Sequence, residues 1–153
     1  AAAMGAEVTV LSHSESKRED ALRMGAKDFI VIRNSDDSKA LQRRFDLILN
    51  TISAMIDINA YLGTLKIDGT LVVIGLPEGP YQVSAGAMLN GRKSLTGSMI
   101  GGMPELQEML DFAGKHNIVS DVEVINADYV DKAYERTVAS DVKYRFVIDA
   151  STI

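Results

Sequence analysis

The residues of this chain best suited to chemistry sit in VLSHSESK, residues 10–17. A β-rich apolar run ends at Leu11. Ser12, His13, Ser14, Ser16 and Lys17 follow at once, with Arg18 next. Hydroxyl donors and cations are the groups that bind a phosphate. The same residues have a plainer reading, in which Ser12 and Ser14 cap the next helix and Lys17 and Arg18 form a solvated face. Other chemistry is sparse. The chain has no cysteine, which excludes thiol catalysis, disulfides and any cysteine-containing zinc site within it. His13 and His116 are its two histidines, far apart and without a partner ligand. No catalytic residue and no metal site are therefore assigned.

Alternating strands and helices must position that loop. Residues 1–12, AAAMGAEVTVLS, read as a helix end, a glycine turn and a short strand, Glu7–Leu11. That is how the second strand of a dinucleotide-binding βαβ unit begins, so the first strand and its glycine-rich turn are expected upstream, outside the chain. Glu15–Met24 is helix-like, with Gly25 just past its end. Asp28–Ile32 follows as a strand, Asp36–Arg44 as a polar helix, and Phe45–Asn50 (FDLILN) as a buried-looking strand. Ala54–Leu62 can form a helix closed by Gly63. Gly69–Ile74 (GTLVVI) is a continuous apolar run, as a strand covered on both faces would be. Val83–Asn90 is ambiguous, and Ser94–Met99 is a further strand. This order implies a mostly parallel sheet with helices on both faces.

The pattern changes near Gly101-Gly102. Pro104 suits a first helical turn, with Glu105 and Glu108 beside it. Leu106, Met109, Leu110 and Ala113 make one apolar stripe. Asp121–Ile125 reads as a strand. Asp128 is an expected N-cap for a helix burying Val130, Ala133, Tyr134, Thr137 and Val138, and Tyr144–Ile148 is a last strand.

Composition bounds the function. The chain of 153 residues is 46% hydrophobic and 24% charged, which is globular. A net charge of −5 argues against nucleic acid or an anionic membrane as the main partner. No apolar run approaches the ~20 residues of a bilayer span. The N-terminus has no basic run of the signal-peptide kind, and a cysteine-free chain fits a cytoplasmic protein.

In a Rossmann unit the loop after the second strand meets the adenosine ribose. A carboxylate there would accept from both ribose hydroxyls of NAD and repel the 2′-phosphate of NADP. Ser12 stands at that position. An unrelated nucleotide-binding domain, such as a methyltransferase, would also want an acid there, and Ser12 argues against it.

AMGAEVTVLSHSESKREDALRMGAKDFI, FDLILNTIS (45–53), DGTLVVIGLPEGP (68–80), LTGSMIGG (95–102) and DVKYRFVIDA (141–150) occur in order along nearly the whole chain. Together they resemble the zinc-dependent medium-chain alcohol dehydrogenases, in particular the NADP-using branch similar to cinnamyl alcohol dehydrogenase. GSMIGG and YRFVIDA carry most of the specificity. The resemblance implies an α/β, Rossmann-like, doubly wound, mostly parallel sheet, truncated at its N-terminus with the first strand and glycine-rich turn absent. It implies two parts: residues 1–102, a partial NADP-binding Rossmann domain, and residues 103–153, a C-terminal segment that returns to the catalytic domain. The family's catalytic zinc, held by two cysteines and a histidine, and its structural zinc both lie upstream.

Residue by residue, the resemblance places Ser12 where NAD-using relatives carry the ribose-binding acid. Ser14 and Lys17 fall in the loop around the 2′-phosphate. His13 departs from the Ser or Thr common there, with a ring that could lie near adenine. Asn50, Thr51 and Ile52 fall beside the adenosine and its ribose. Ile74, Gly75 and Leu76 fall at the nicotinamide crevice, and Ser98, Met99 and Ile100 offer backbone groups to the carboxamide. Arg145 matches an arginine that reaches the pyrophosphate. The plainer readings are a turn at Gly75, a strand cap at Asn50 and a surface cation at Arg145. The parent protein is then expected to transfer hydride between NADP(H) and a primary alcohol or aldehyde, at a zinc site outside this chain. The chain alone would be inactive. A homodimer through the strand near residues 94–99 is expected. The rival reading is a non-catalytic truncated domain used for nucleotide binding or assembly.

Overall fold

The computed structural model describes residues 1–153, the side chain of Ser35 excepted. Two compact units divide the chain, Ala1–Ile100 and Gly101–Ile153. In the first, β1 (Thr9–Ser12) pairs with β2 (Asp28–Val31), while β3 (Phe45–Asn50), β4 (Leu65–Val73) and β5 (Ser94–Gly97) form a second sheet in the order β3-β4-β5. Every pairing is parallel. The connections between parallel strands must cross over, and α1 (Arg18–Arg23), α2 (Ser35–Lys39), α3 (Ile58–Thr64) and α4 (Ala85–Leu89) lie in them.

Local chemistry sets the boundaries. Gly5 (φ 88°) closes a short 3-10 turn ahead of β1, and Gly25 (φ 101°) follows α1. β1 begins later than expected and includes Ser12. The α2 helix is shorter than the expected Asp36–Arg44. Its start is fixed by Asn34, whose side chain accepts from the N–H groups of Asp36 and Asp37, and it stops short of Arg43, where the backbone takes a positive φ of 54°. The α3 helix starts not at Ala54 but after Asp57, whose carboxylate accepts from Asn59 and Ala60. It runs through Gly63, because Ile58, Leu62 and Thr64 are buried and packing outweighs glycine's weak propensity. The β4 strand then starts at once. Phe45 lies opposite Leu65, whereas Leu47 lies opposite Thr70, so β4 carries extra residues in a bulge. Asp68 turns there at φ 61°, and its carboxylate takes two hydrogen bonds from Arg92, at 2.8 and 2.6 Å. The ambiguous Val83–Asn90 segment contains α4.

The core of this unit is Ile58, Leu62, Leu65 and Leu71, packed by Ile48 of β3 and Leu95 of β5 among others. FDLILN is less buried than its composition suggests. Ile48 packs inward and Asn50 is buried, but Leu47 and Leu49 are about half exposed, at 55% and 51%. The reason is that β3 has a paired neighbour on one side only. Between β1 and β3 lies a slot of about 690 Å³, lined by Val8–Leu11 and by residues 44–52. The Rossmann-like parallel sheet is thus interrupted between these two strands.

In the second unit β6 (Glu123–Ile125) runs parallel to β7 (Phe146–Ile148), with α5 (Met103–Lys115) before them and α6 (Val130–Val138) between them. The Glu105 carboxylate accepts from the Gly102 N–H at 2.7 Å, and Pro104 lies in the first turn. Two expectations fail. Asp128 does not cap α6 but lies inside a 3-10 turn, Ala127–Tyr129. Of the expected buried face only Ala133 is fully buried, and Tyr134 and Val138 are exposed. Leu106, Met109 and Leu110 of α5 are about half exposed as well. A 53-residue unit has too little mass to cover its own amphipathic helices. Arg136 instead joins α6 to the strands. It pairs with Glu123 at 2.8 Å and Asp141 at 3.0 Å and lies over the Phe146 ring.

Candidate functional site

The strands of the first unit form two parallel sets, β1-β2 and β3-β4-β5. An ion pair of 2.6 Å between Arg44 and Asp28 ties the start of β3 to the start of β2. Open α/β sheets bind ligands outside the carboxyl ends of their strands, which are Ser12 and Val31 in one set and Asn50, Val73 and Gly97 in the other.

On β1 that end carries Ser12, followed by His13, Ser14 and Lys17. The Ile32 N–H donates to the Ser12 carbonyl at 2.8 Å, and the His13 ring meets the Ile32 carbonyl through Nδ1 at 2.9 Å. The imidazole is thereby fastened across β2. Ser14 occupies an N-cap position but makes no side-chain capping bond. The Ser12 hydroxyl accepts a long 3.4 Å bond from the Ser14 N–H, and the Ser14 and Ser16 hydroxyls meet at 2.8 Å. Arg18 is partly exposed and tied into the fold. It takes Glu15 through Nε and NH2, donates to the Phe29 carbonyl at 2.9 Å and covers the Phe29 ring. The hydrogen bond from Arg18 holds the Glu15 carboxyl below the usual carboxylate range, and the charges of Arg18 and Arg33 add to this. The acid of this loop is thus matched internally by Arg18.

The ends of β3 and β4 interlock. Asn50 is buried. Its Oδ1 accepts from the Ile52 N–H at 3.1 Å, its Nδ2 donates to the Tyr81 hydroxyl at 3.3 Å, and its carbonyl accepts from both Ile74 and Gly75. Gly75 does not have a positive φ, so the turn reading fails. Its lack of a side chain is required by close approach, since a Cβ there would collide with the Ile52 backbone. Thr51 and Leu76 are exposed, Ile52 is half-buried, and Ile74 is partly exposed. Past β5, the Ser98 N–H donates to the Val73 carbonyl at 3.0 Å, so that donor is already used, while Met99 and Ile100 are almost fully exposed. Thirteen of the fourteen candidates thus close or follow the carboxyl end of a strand in the first unit. The fourteenth, Arg145, belongs to the second unit. Its carbonyl accepts from the Glu123 N–H at 2.9 Å and its side chain is exposed.

Sequence reasoning missed Tyr81 and Arg33. Tyr81 supports Asn50 from a Gly/Pro-rich loop that gives no periodic signal. Arg33 lies two residues past the end of β2, and only the β1–β2 register shows that it follows the carboxyl end level with Ser12. No group of three His, Cys, Asp or Glu among the described residues could hold a metal. The residues present do not fit a catalytic zinc, and no step through one is derived. No helix among the described residues is long and apolar enough to cross a membrane.

The fold and the site define a class: a Rossmann-like α/β unit whose strand ends present groups suited to a nucleotide phosphate. The chain belongs to the zinc-binding dehydrogenase family, whose model matches residues 1–115. It is 54% identical over 153 residues to NADP-dependent alcohol dehydrogenase C 1 of Mycolicibacterium smegmatis, covering all of this chain and 44% of that protein. Among solved structures, a cinnamyl alcohol dehydrogenase of Sorghum bicolor matches with TM-score 0.91 and 42% identity, over 98% of this chain and 43% of that one. CAD from Helicobacter pylori, in complex with NADP(H), matches with TM-score 0.83 and 37% identity, over 98% and 43%. The chain thus spans less than half the length of these relatives.

Proposed function

We propose that this chain is the C-terminal, cofactor-binding part of an oxidoreductase that moves hydride between NADP(H) and a primary alcohol or aldehyde. Residues 1–102 would hold the cofactor, and residues 103–153 would complete the catalytic domain. The zinc site would lie outside the chain, so the chain alone is inactive. The observation that carries this reading is the end of β1, where neither Ser12 nor Ser14 is committed to capping a helix and Glu15 is neutralised by Arg18. Hydroxyls and Lys17 are left where an NAD-binding unit would need a carboxylate. The relatives named for NADP support the same choice. Asn50, Thr51 and Ile52 would line the adenosine. Ile74, Gly75 and Leu76, with the backbone of Ser98, Met99 and Ile100, would flank the nicotinamide, and Arg145 would reach the pyrophosphate. Holding the nicotinamide against the substrate carbon is what these residues contribute to hydride transfer. The cysteine-free composition supports a cytoplasmic location.

The test is the ratio of kcat/KM for NADP and NAD in the full-length protein. Ser12→Asp removes a donor and adds repulsion, and it should swing the ratio toward NAD by about two decades or more. Lys17→Ala should weaken NADP by about one decade and leave NAD nearly unchanged. A wild type that favours NAD, or a ratio that neither substitution moves, sinks the assignment.

A further inference from the structure

β1 and β2 are in register from Thr9 opposite Asp28 to Ser12 opposite Val31. The hydrogen bonds of Ser12 and His13 to Ile32 carry that register one step further. The next residue, Arg33, therefore leaves β2 at the end where Ser14 leaves β1. Its backbone is held in place: the Asp37 carboxylate accepts from the N–H of Arg33 at 2.8 Å and of Asn34 at 3.2 Å. Its side chain is exposed, and among the described residues its guanidinium has no hydrogen-bond or ion-pair partner.

Several cations around it are paired within the fold. Arg18 is matched to Glu15, Arg23 to Asp20, Lys27 to Glu7, Lys39 to Asp36 and Arg44 to Asp28. Each of these cations is partly neutralised within the fold, whereas Arg33 is not. Its field reaches the Ser12 loop, where it helps to stabilise the charged form of Glu15. An arginine fork can take two oxygens of one phosphate monoester at once, which a lysine cannot.

We propose that Arg33 is a specificity-determining residue that grips the 2′-phosphate of the cofactor from the β2 side, opposite Ser12 and Ser14. This rests on the NADP reading of that loop. The 5′ side of the nucleotide is common to both cofactors, so an Arg33 that acts on the 2′-phosphate must affect one cofactor and spare the other.

The experiment titrates full-length wild type, Arg33→Ala, Arg33→Lys and Ser12→Asp with NADPH and with NADH, following nicotinamide fluorescence. Arg33→Ala should raise the Kd for NADPH by about tenfold and leave that for NADH within about twofold. Arg33→Lys should recover part of the loss, because it keeps the charge and loses the fork. Unchanged NADH binding also shows that the variant is folded. If Ser12→Asp reverses the preference while Arg33→Ala moves nothing, the role of Arg33 is overturned and the loop reading stands. If Arg33→Ala weakens both cofactors equally, Arg33 acts on the shared adenosine and the proposal is also overturned. If neither variant alters discrimination, both readings fall.

Discussion

At the scale of single residues, Gly75 and Asn50 do one job between them. The Asn50 carbonyl accepts from Ile74 and Gly75, and its side chain secures Ile52 and Tyr81, so the ends of β3 and β4 move as one piece. Gly75 lets the two segments touch. A methyl group at Gly75 would run into Ile52 backbone, which cannot swing away as a flexible side chain can. Gly75→Ala is therefore expected to cost about 1–3 kcal/mol, as overpacked sites do, and to raise the cofactor KM. Gly79→Ala is the control. Its new methyl would meet nothing nearer than the Met55 sulfur at 3.7 Å, an ordinary contact, and its cost should stay within about 0.5 kcal/mol. Thermal or urea unfolding of the two full-length variants checks this, and equal losses would contradict it.

Among the elements, β5 is an edge strand. It pairs only with β4, leaving its other edge open, and Leu76, Met99 and Ile100 nearby are exposed. The N–H of Ser98 points to β4, where it donates to Val73. Backbone groups alternate along a strand, so the N–H groups of Thr96 and Ser94 also face β4, while those of Leu95 and Gly97 face outward. Our reading of a homodimer through residues 94–99 uses that outward row. Gly97→Pro removes one outward donor while sparing the β4 ladder and the core packing of Leu95. The full-length variant should shift from dimer toward monomer in light scattering at micromolar concentration. A variant that stays fully dimeric would place the interface elsewhere.

Over the whole molecule, stability should be uneven. The β4 strand has a neighbour on each side and rests on Leu62, Leu65 and Leu71, all wholly buried. The β1–β2 pair has two strands only, with a slot of about 690 Å³ along β1. Two-stranded sheets are marginal by themselves, and an unpaired edge exchanges with water readily. Native-state hydrogen exchange on this chain should therefore find the slowest amides in β4 and α3 and much faster exchange in β1 and β2. Equal protection in β1 and β4 would mean that something fills the slot.

The sequence by itself determined the alternation of strands and helices, the parallel α/β class and the family. These depend on local signals: apolar runs, glycine turns, and residue types in order. FDLILN and GTLVVI read as strands because a short apolar run has few other uses, and Ser12 reads as a departure from the NAD pattern because one position carries that choice. Tertiary structure decided what pairwise distance decides. It showed that Gly75 is small for the sake of Ile52 and not for a turn, because the contact joins the ends of two strands that are distant in sequence. It set Ser12 opposite Val31 through strand register, so that Arg33 leaves β2 at the end where Ser14 leaves β1, which no local window contains. It left Leu47, Leu49 and the α5 stripe half exposed, because burial depends on a neighbour being present and hydrophobicity alone does not supply one.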